Sequence, residues 1–227
     1  PPPPPPPLFF FHAEDCILYA QESRGLGDVY KRQIQVVLAS ESPRRAQIME
    51  AIGVPCRVAP QKIDESLRDG ERATDYVERL SREKAESALG EFCQSVIIGA
   101  DTVVALGDLI LEKPKDRAAG TEMLSLLSGR RHLVFTGLTV LYSSLVITDV
   151  VTTEVSFRDI SNEEMELYWK TGEPEDKAGG YGLQGIGGTF VTSIRGSYSG
   201  VLGLPVFETE RALKKAGIDT WRHRIGH

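Results

Sequence analysis

From residue 34 onward the apolar positions of the chain alternate between two spacings. Residues 34–39 form a short apolar run that stops at Ser40, the pattern of a buried strand. Residues 43–52 then place Ala46, Ile48, Met49 and Ile52 on a helical stripe ahead of Gly53, a glycine stop. A second stripe, Val77, Leu80, Lys84 and Ala88, predicts a helix over residues 74–89, and the β-branched run at 96–105 predicts a buried strand. Residues 116–127 read as a helix up to Ser128-Gly129, and residues 133–142 and 146–158 as two strands paired in a hairpin across Ser143-Ser144. Ser161 with Glu164 makes a capping box for a helix closed by Gly172. A glycine-rich loop, a strand around 190–194 and a helix opened by Pro205 and ended by Gly217 complete the pattern. The periods predict an α/β fold with a mixed, partly antiparallel sheet flanked by helices, and no internal repeat.

The first 33 residues carry no such period. Seven of the thirteen prolines are Pro1 to Pro7, and the apolar Leu8-Phe9-Phe10-Phe11 is cut off by His12, Glu14 and Asp15, so a secretory signal is excluded. The expectation is a non-native or disordered leader at 1–33, one domain at 34–219 and a tail at 220–227. Over the 227 residues, 41% hydrophobic and 26% charged, no apolar run approaches the roughly 20 residues of a membrane span. A net charge of -6 argues against a protein that coats nucleic acid. Cys16, Cys56 and Cys93 fit neither a disulfide framework nor a metal pattern, which points to a reducing, cytoplasmic setting.

Four features carry chemistry. In Ser40-Glu41-Ser42-Pro43-Arg44-Arg45, Ser42 suits the N-cap and Pro43 the first helical position. Arg44 and Arg45 then crowd a helix start whose free N–H groups already favour an anion. That arrangement suits a bound polyanion such as a triphosphate, or a solvated basic turn paired with surface acids. Asp101 interrupts an apolar strand run, where a carboxylate is costly unless it is paired, ligates a metal or activates water; a turn aspartate between two shorter strands is the alternative. Lys84 falls on the apolar stripe of its helix, where it either snorkels or faces a site, and Lys113 is held extended by Pro114. Gly180, Gly182 and Gly185 match GxGxxG without the strand before and helix after that a dinucleotide fold needs. Their loop permits close approach to a flat ligand, with Gln184 able to donate and accept at a base edge, or is simply floppy. His132 is expected to serve a local hydrogen bond, not catalysis.

These residues also sit in a set of motifs. Ser40-x-Ser-Pro-Arg-Arg45, Ile63-Asp-Glu-Ser66, Arg82-Glu-Lys-Ala85, Gly99-Ala-Asp-Thr-Val103, Glu112-Lys-Pro114, Ser128-Gly129, Asp176-Lys-Ala-Gly179, Tyr181-Gly-Leu-Gln-Gly185 and Gly203-Leu-Pro205 occur in this order. The stretch resembles the Maf family of nucleoside triphosphate pyrophosphatases. The resemblance implies a fold like that of the inosine triphosphate pyrophosphatases, with two lobes around a cleft, a divalent cation (magnesium, manganese or cobalt), and release of pyrophosphate from a nucleotide. It implies that Asp101 accepts the proton of the attacking water and holds the metal, with Glu65 as a second metal ligand or an assisting acid. Ser40, Arg44, Arg45, Lys84 and Lys113 would bind phosphates. Arg44, Thr102 and Gln184 match the specificity positions of the dTTP and UTP branch, against the 7-methyl-GTP branch, and a homodimer is implied. The alternative is a catalytically weak nucleotide-sensing or nucleic-acid-binding regulator of cell division.

Overall fold

The computed structural model describes residues 34–224, and the expected leader lies outside them. Strand β1 (Val36–Leu38) leads into helix α1 (Pro43–Ala51), and the two-residue strand β2 (Arg57–Val58) pairs parallel to β1. Helix α2 (Ala73–Ser87) and the short α3 (Leu89–Phe92) precede the long strand β3 (Val96–Leu106), which folds back on β4 (Leu109–Leu111). After α4 (Arg117–Leu127) come β5 (Arg131–Tyr142) and β6 (Leu145–Phe157), the hairpin the alternation predicts, turned through Ser143 in the left-handed region. Helix α5 (Asn162–Trp169) is followed by the glycine loop, β7 (Val191–Arg195), α6 (Tyr198–Val201), α7 (Val206–Lys215) and α8 (Thr220–Arg224). The capping box forms as read: Ser161 Oγ accepts from the Glu164 amide, and Glu164 Oε2 accepts from the Ser161 amide at 2.9 Å.

The seven strands form one mixed sheet in the order β2-β1-β3-β5-β6-β7, with β4 beside β3. One edge of β3 is covered along its length by β5. Its other edge pairs with β1 only through Ile98 and with β4 only from Val104, so residues 99–103 have no strand partner there. One side of the core gathers Leu38, Ile98, Ala100, Met49 and Leu213 between the sheet and helices α1 and α7. Beyond the opening, Leu124, Leu127, Phe157, Tyr168 and Phe190 pack α4 and α5 on the far end of the sheet.

Helix α2 lies unusually close on the opposite face. A Cβ at Gly99 or Gly137 would collide with the backbone carbonyls of Ser81 and Val77, so the two glycines let the helix sink onto β3 and β5. Ser81 Oγ then reaches Thr139 Oγ1 at 2.9 Å. This seat brings Lys84, the stripe residue, over the open edge. The expected tail is corrected in part: Thr220 begins α8 and is fully buried, its hydroxyl donating to Glu210, and Arg224 donates to the Ile52 carbonyl. Two short strands and α6 were not expected, being too brief to show a period. Among the described residues no helix is long and apolar enough to cross a membrane.

Candidate active site

The open edge of β3 floors a cleft of about 710 Å³. Successive side chains of a strand point to opposite faces, and here the pleat separates two groups of partners. Asp101 lies on the α2 face. Its Oδ1 accepts from Lys84 Nζ at 2.6 Å, and the same ammonium contacts Glu65 Oε1 at 2.7 Å. The side chains of Lys84 and Asp101 keep only 9% and 12% exposure whereas Glu65 keeps 50%, so a buried ion pair opens to solvent through one glutamate. Burial opposes ionisation of Glu65, but the hydrogen bond and charge of Lys84, backed by Lys113 and Arg45, outweigh it and hold the carboxyl below the usual range. The snorkelling alternative for Lys84 is thereby corrected: its charge goes inward to two carboxylates. Asp101 is likewise no turn residue, since it lies inside β3 opposite Gly137.

Tyr76 and Glu112 complete this side. The Tyr76 hydroxyl donates toward Glu112 Oε1 at 2.9 Å and the Glu65 carbonyl at 2.8 Å, tying the Glu65 loop to the strand end after β4. Burial, then the Glu112 carboxylate, push the Tyr76 pKa up, so the hydroxyl keeps its proton. Sequence reading quoted Glu112 only within the Glu112-Lys-Pro114 motif and passed over Tyr76, whose role depends on a contact 36 positions away.

Thr102 lies on the α1 face. Arg45 Nη2 donates to Thr102 Oγ1 at 3.3 Å, Nη1 to Ser40 Oγ at 2.8 Å and Nε to the Gly203 carbonyl at 2.8 Å. Burial lowers the Arg45 pKa, while Asp101 and Glu65 pull it back up. Ser40 also receives the Ser42 amide at 3.2 Å. The two residues expected to hold phosphate therefore spend these groups on bracing the β1–α1 loop to β3 and to the 203 loop. Arg44, half-buried, and Lys113, exposed, line the cleft and make no hydrogen bond or ion pair among the described residues. Lys62, unforeseen because an isolated lysine carries no spacing signal, joins them on the wall, as does Lys177 of the Asp176-Lys-Ala-Gly179 motif, paired with Asp176 at 2.6 Å. Ser42 occupies the N-cap of α1 with Pro43 behind it, as read, but its side chain makes no cap hydrogen bond.

Gln184 is exposed and lies outside the cleft lining, to which its neighbour Leu183 belongs. The loop is not floppy either: the Glu173 carboxylate accepts from the Ile186 and Gly187 amides at 2.9 and 3.1 Å and from the Tyr168 hydroxyl at 2.8 Å. A Cβ at Gly182 or Gly185 would collide with that carboxylate, so these glycines serve the packing of Glu173. His132 takes the local role expected of it, with Nε2 2.8 Å from the hydroxyl of Tyr181 on the cleft wall.

Whether the acids suit a metal depends on their number and hardness. Glu65 and Asp101 offer hard carboxylate oxygens, and among the described residues no group of three His, Cys, Asp or Glu could hold an ion unaided. Such a pair fits a magnesium-type cation, which takes one or two carboxylates and completes its shell with substrate phosphates and water.

The family model for Maf-like proteins matches residues 35–216. A Vibrio parahaemolyticus protein named dTTP/UTP pyrophosphatase is 47% identical over 186 residues, covering 82% of this chain and 98% of that protein. Proteins of the same name from Acinetobacter baylyi and Colwellia psychrerythraea are 46% and 43% identical, covering 78% and 81% of this chain and 97% and 89% of their own lengths. With the open strand edge, the bridged acids and a matched span that begins just before β1 and ends just after α7, the chain belongs to the Maf family.

Proposed function

We propose that the protein hydrolyses dTTP, UTP and modified pyrimidine nucleoside triphosphates to the monophosphate and pyrophosphate, a house-cleaning role in the nucleotide pool. The observation that carries this reading is the Lys84 ammonium held between Asp101 and Glu65 at the unpaired edge of β3, facing a cleft wall that carries Arg44, Lys62, Lys113 and the Asp176-paired Lys177. Cleavage between the α- and β-phosphates needs the triphosphate charge balanced, a water in line and a base to take its proton. Arg44, Lys113, Lys62 and Lys177 hold the phosphates. Asp101 accepts the water proton, and Lys84 keeps that carboxylate oriented. Arg45 and Ser40, which also line the cleft, shape its wall. No covalent nucleophile is needed: Cys93 is exposed, and burial pushes the Cys56 thiol up, away from thiolate.

Glu65 and Asp101 would hold the divalent cation, of the magnesium, manganese or cobalt type. When bound, it neutralises charge on the phosphates and the leaving pyrophosphate. A cytoplasmic enzyme is supported by the free thiols Cys56 and Cys93, and a homodimer belongs to the same reading. A nucleic-acid-binding or purely sensing regulator is disfavoured, because the acids and the cations of the cleft are intact and the net charge is -6. The test is product analysis over a panel of triphosphates with magnesium or manganese. Pyrophosphate with dTMP or UMP is expected; orthophosphate with the diphosphate, or a guanine preference, would refute the assignment.

A further inference from the structure

The hydrogen-bond chain on the α1 face has a direction that its end groups dictate. Thr136 Oγ1 lies 2.8 Å from the Gly200 carbonyl, which can only accept, so the single hydroxyl proton of Thr136 goes there. Thr136 Oγ1 is also 3.0 Å from Thr102 Oγ1. With the Thr136 proton spent, Thr102 is the donor in that contact. At the other end the Arg45 guanidinium, which has no acceptor, donates to Thr102. Thr102 therefore has its proton committed to Thr136 and one lone pair committed to Arg45. Thr136 is 1% exposed and cannot turn to water, while Thr102 is half-buried and lines the cleft.

We propose that Thr136 is a positioning residue which, with Arg45, turns Thr102 into an obligate acceptor toward the cleft, so that the ligand group seated against Thr102 is an N–H or O–H donor. A free threonine hydroxyl accepts or donates as the ligand demands and discriminates little. A hydroxyl whose proton is locked away rejects any group that offers a lone pair, because two acceptors then face each other without a proton between them. A phosphate oxygen is thus excluded as the partner of Thr102. Resting on the pyrimidine nucleotide reading, the inference leaves two donors of that ligand: the N3–H of uracil or thymine, and a sugar hydroxyl.

Equilibrium binding by calorimetry, on the full chain, separates these. dTTP is compared with dCTP, whose N3 is an acceptor, and with the 3′-deoxy analogue of dTTP, on wild type, Thr102→Val, Thr136→Val and Thr136→Ser, with pyrophosphate release followed in parallel. Wild type is expected to bind either dCTP or the 3′-deoxy analogue roughly tenfold more weakly than dTTP, the scale of one neutral hydrogen bond, and the identity of the weaker analogue names the donor. Thr102→Val should abolish that difference. Where the base is the donor, Thr136→Val releases the Thr102 proton and dCTP binding should improve, a gain that damage to the fold does not produce, while Thr136→Ser keeps the wild-type ratio. Where the sugar is the donor, Thr136→Val should narrow the gap and Thr136→Ser restore it. Equal binding of all three nucleotides to wild type, or a ratio that survives Thr102→Val or is untouched by Thr136→Val, would overturn the inference. Selective binding without pyrophosphate release would sink the pyrophosphatase reading and leave the polarity of Thr102 standing.

Discussion

Replacing His132 by glutamine should change how stability depends on pH more than it changes stability at neutral pH. The imidazole is 2% exposed, packs edge-on against Phe157 and Tyr181 at centroid distances of 4.8 and 5.5 Å, and finds one partner, the Tyr181 hydroxyl, leaving Nδ1 unpaired. Burial depresses its pKa from 6.5 to about 4. Above pH 6.5 the ring is neutral both folded and unfolded and contributes nothing to the pH dependence. Between 6.5 and 4 the unfolded chain takes up a proton that the folded protein refuses, so stability falls as pH falls through this window and levels off below it. At 1.36 kcal/mol for each pH unit of displacement, the full loss is about 3 kcal/mol. Urea denaturation at several pH values from 7.5 to 4, on wild type and His132→Gln, isolates the effect, because every carboxylate that also titrates there is common to both. The variant should be less stable at pH 7.5, having lost aromatic packing, and the gap should close by about 3 kcal/mol by pH 4. Parallel curves would mean that His132 titrates alike in both states, and the account of a ring kept neutral by burial would be wrong.

Three further outcomes follow from the geometry. Asp101→Asn should retain the wild-type melting temperature within a few degrees while kcat falls by roughly 10² to 10⁴, the usual contribution of a positioned base; a folded variant with near-normal turnover would remove Asp101 from that role. Arg44→Ala and Arg45→Ala should part ways. The first should raise KM for dTTP roughly tenfold at unchanged melting temperature, and the second should destabilise by about 2–4 kcal/mol because two buried acceptors and the half-buried Thr102 lose a charged donor; similar thermal melts for the two would contradict this division. Gly137→Ala should push α2 off the sheet, lower the melting temperature by several degrees and weaken activity through Lys84, as checked by calorimetry and dTTP turnover; a neutral substitution would show that the helix has room to spare.

The sheet and its helices were legible wherever a period lasted two turns or five residues. The capping box at Ser161, the β5–β6 hairpin and the position of Lys84 on the α2 stripe came directly from spacing. Residue type exposed Asp101 and Lys84 because each was costly where it stood. What stayed hidden had either no local cost or a contact distant in sequence. Arg44 and Arg45 look equivalent as neighbours and both line the cleft, yet about 100° of helix rotation leaves Arg44 half-buried and turns Arg45 into a buried hydrogen bond with the Gly203 carbonyl. Gln184 has the right chemistry for a base edge, but the turn that places it is set by Glu173, ahead of the loop and unmarked by any pattern. Thr136 and Thr139 read as polar positions in a strand, and only pairing β3 with β5 shows that both are buried under neighbours that accept their hydrogen bonds.

The arrangement of β3 explains how one short segment can serve two tasks. Asp101 and Thr102 are consecutive, so their backbone positions are fixed relative to each other by one peptide unit, while the pleat commits their side chains to α2 and α1 respectively. Because β1 and β4 stop short on either side, both residues reach the same cleft despite facing opposite ways. On the proposed reading, chemistry is held by ion pairs that tolerate small changes in ligand shape, and recognition by directed hydrogen bonds that do not. Changes at Thr136 or Arg45 can therefore alter which nucleotide is accepted without disturbing the Lys84–Asp101 pair. Changes under α2, at Gly99 or Gly137, shift that pair while leaving the threonine chain in place. A family built on this strand can vary its substrate from one side of the sheet while keeping its reaction on the other.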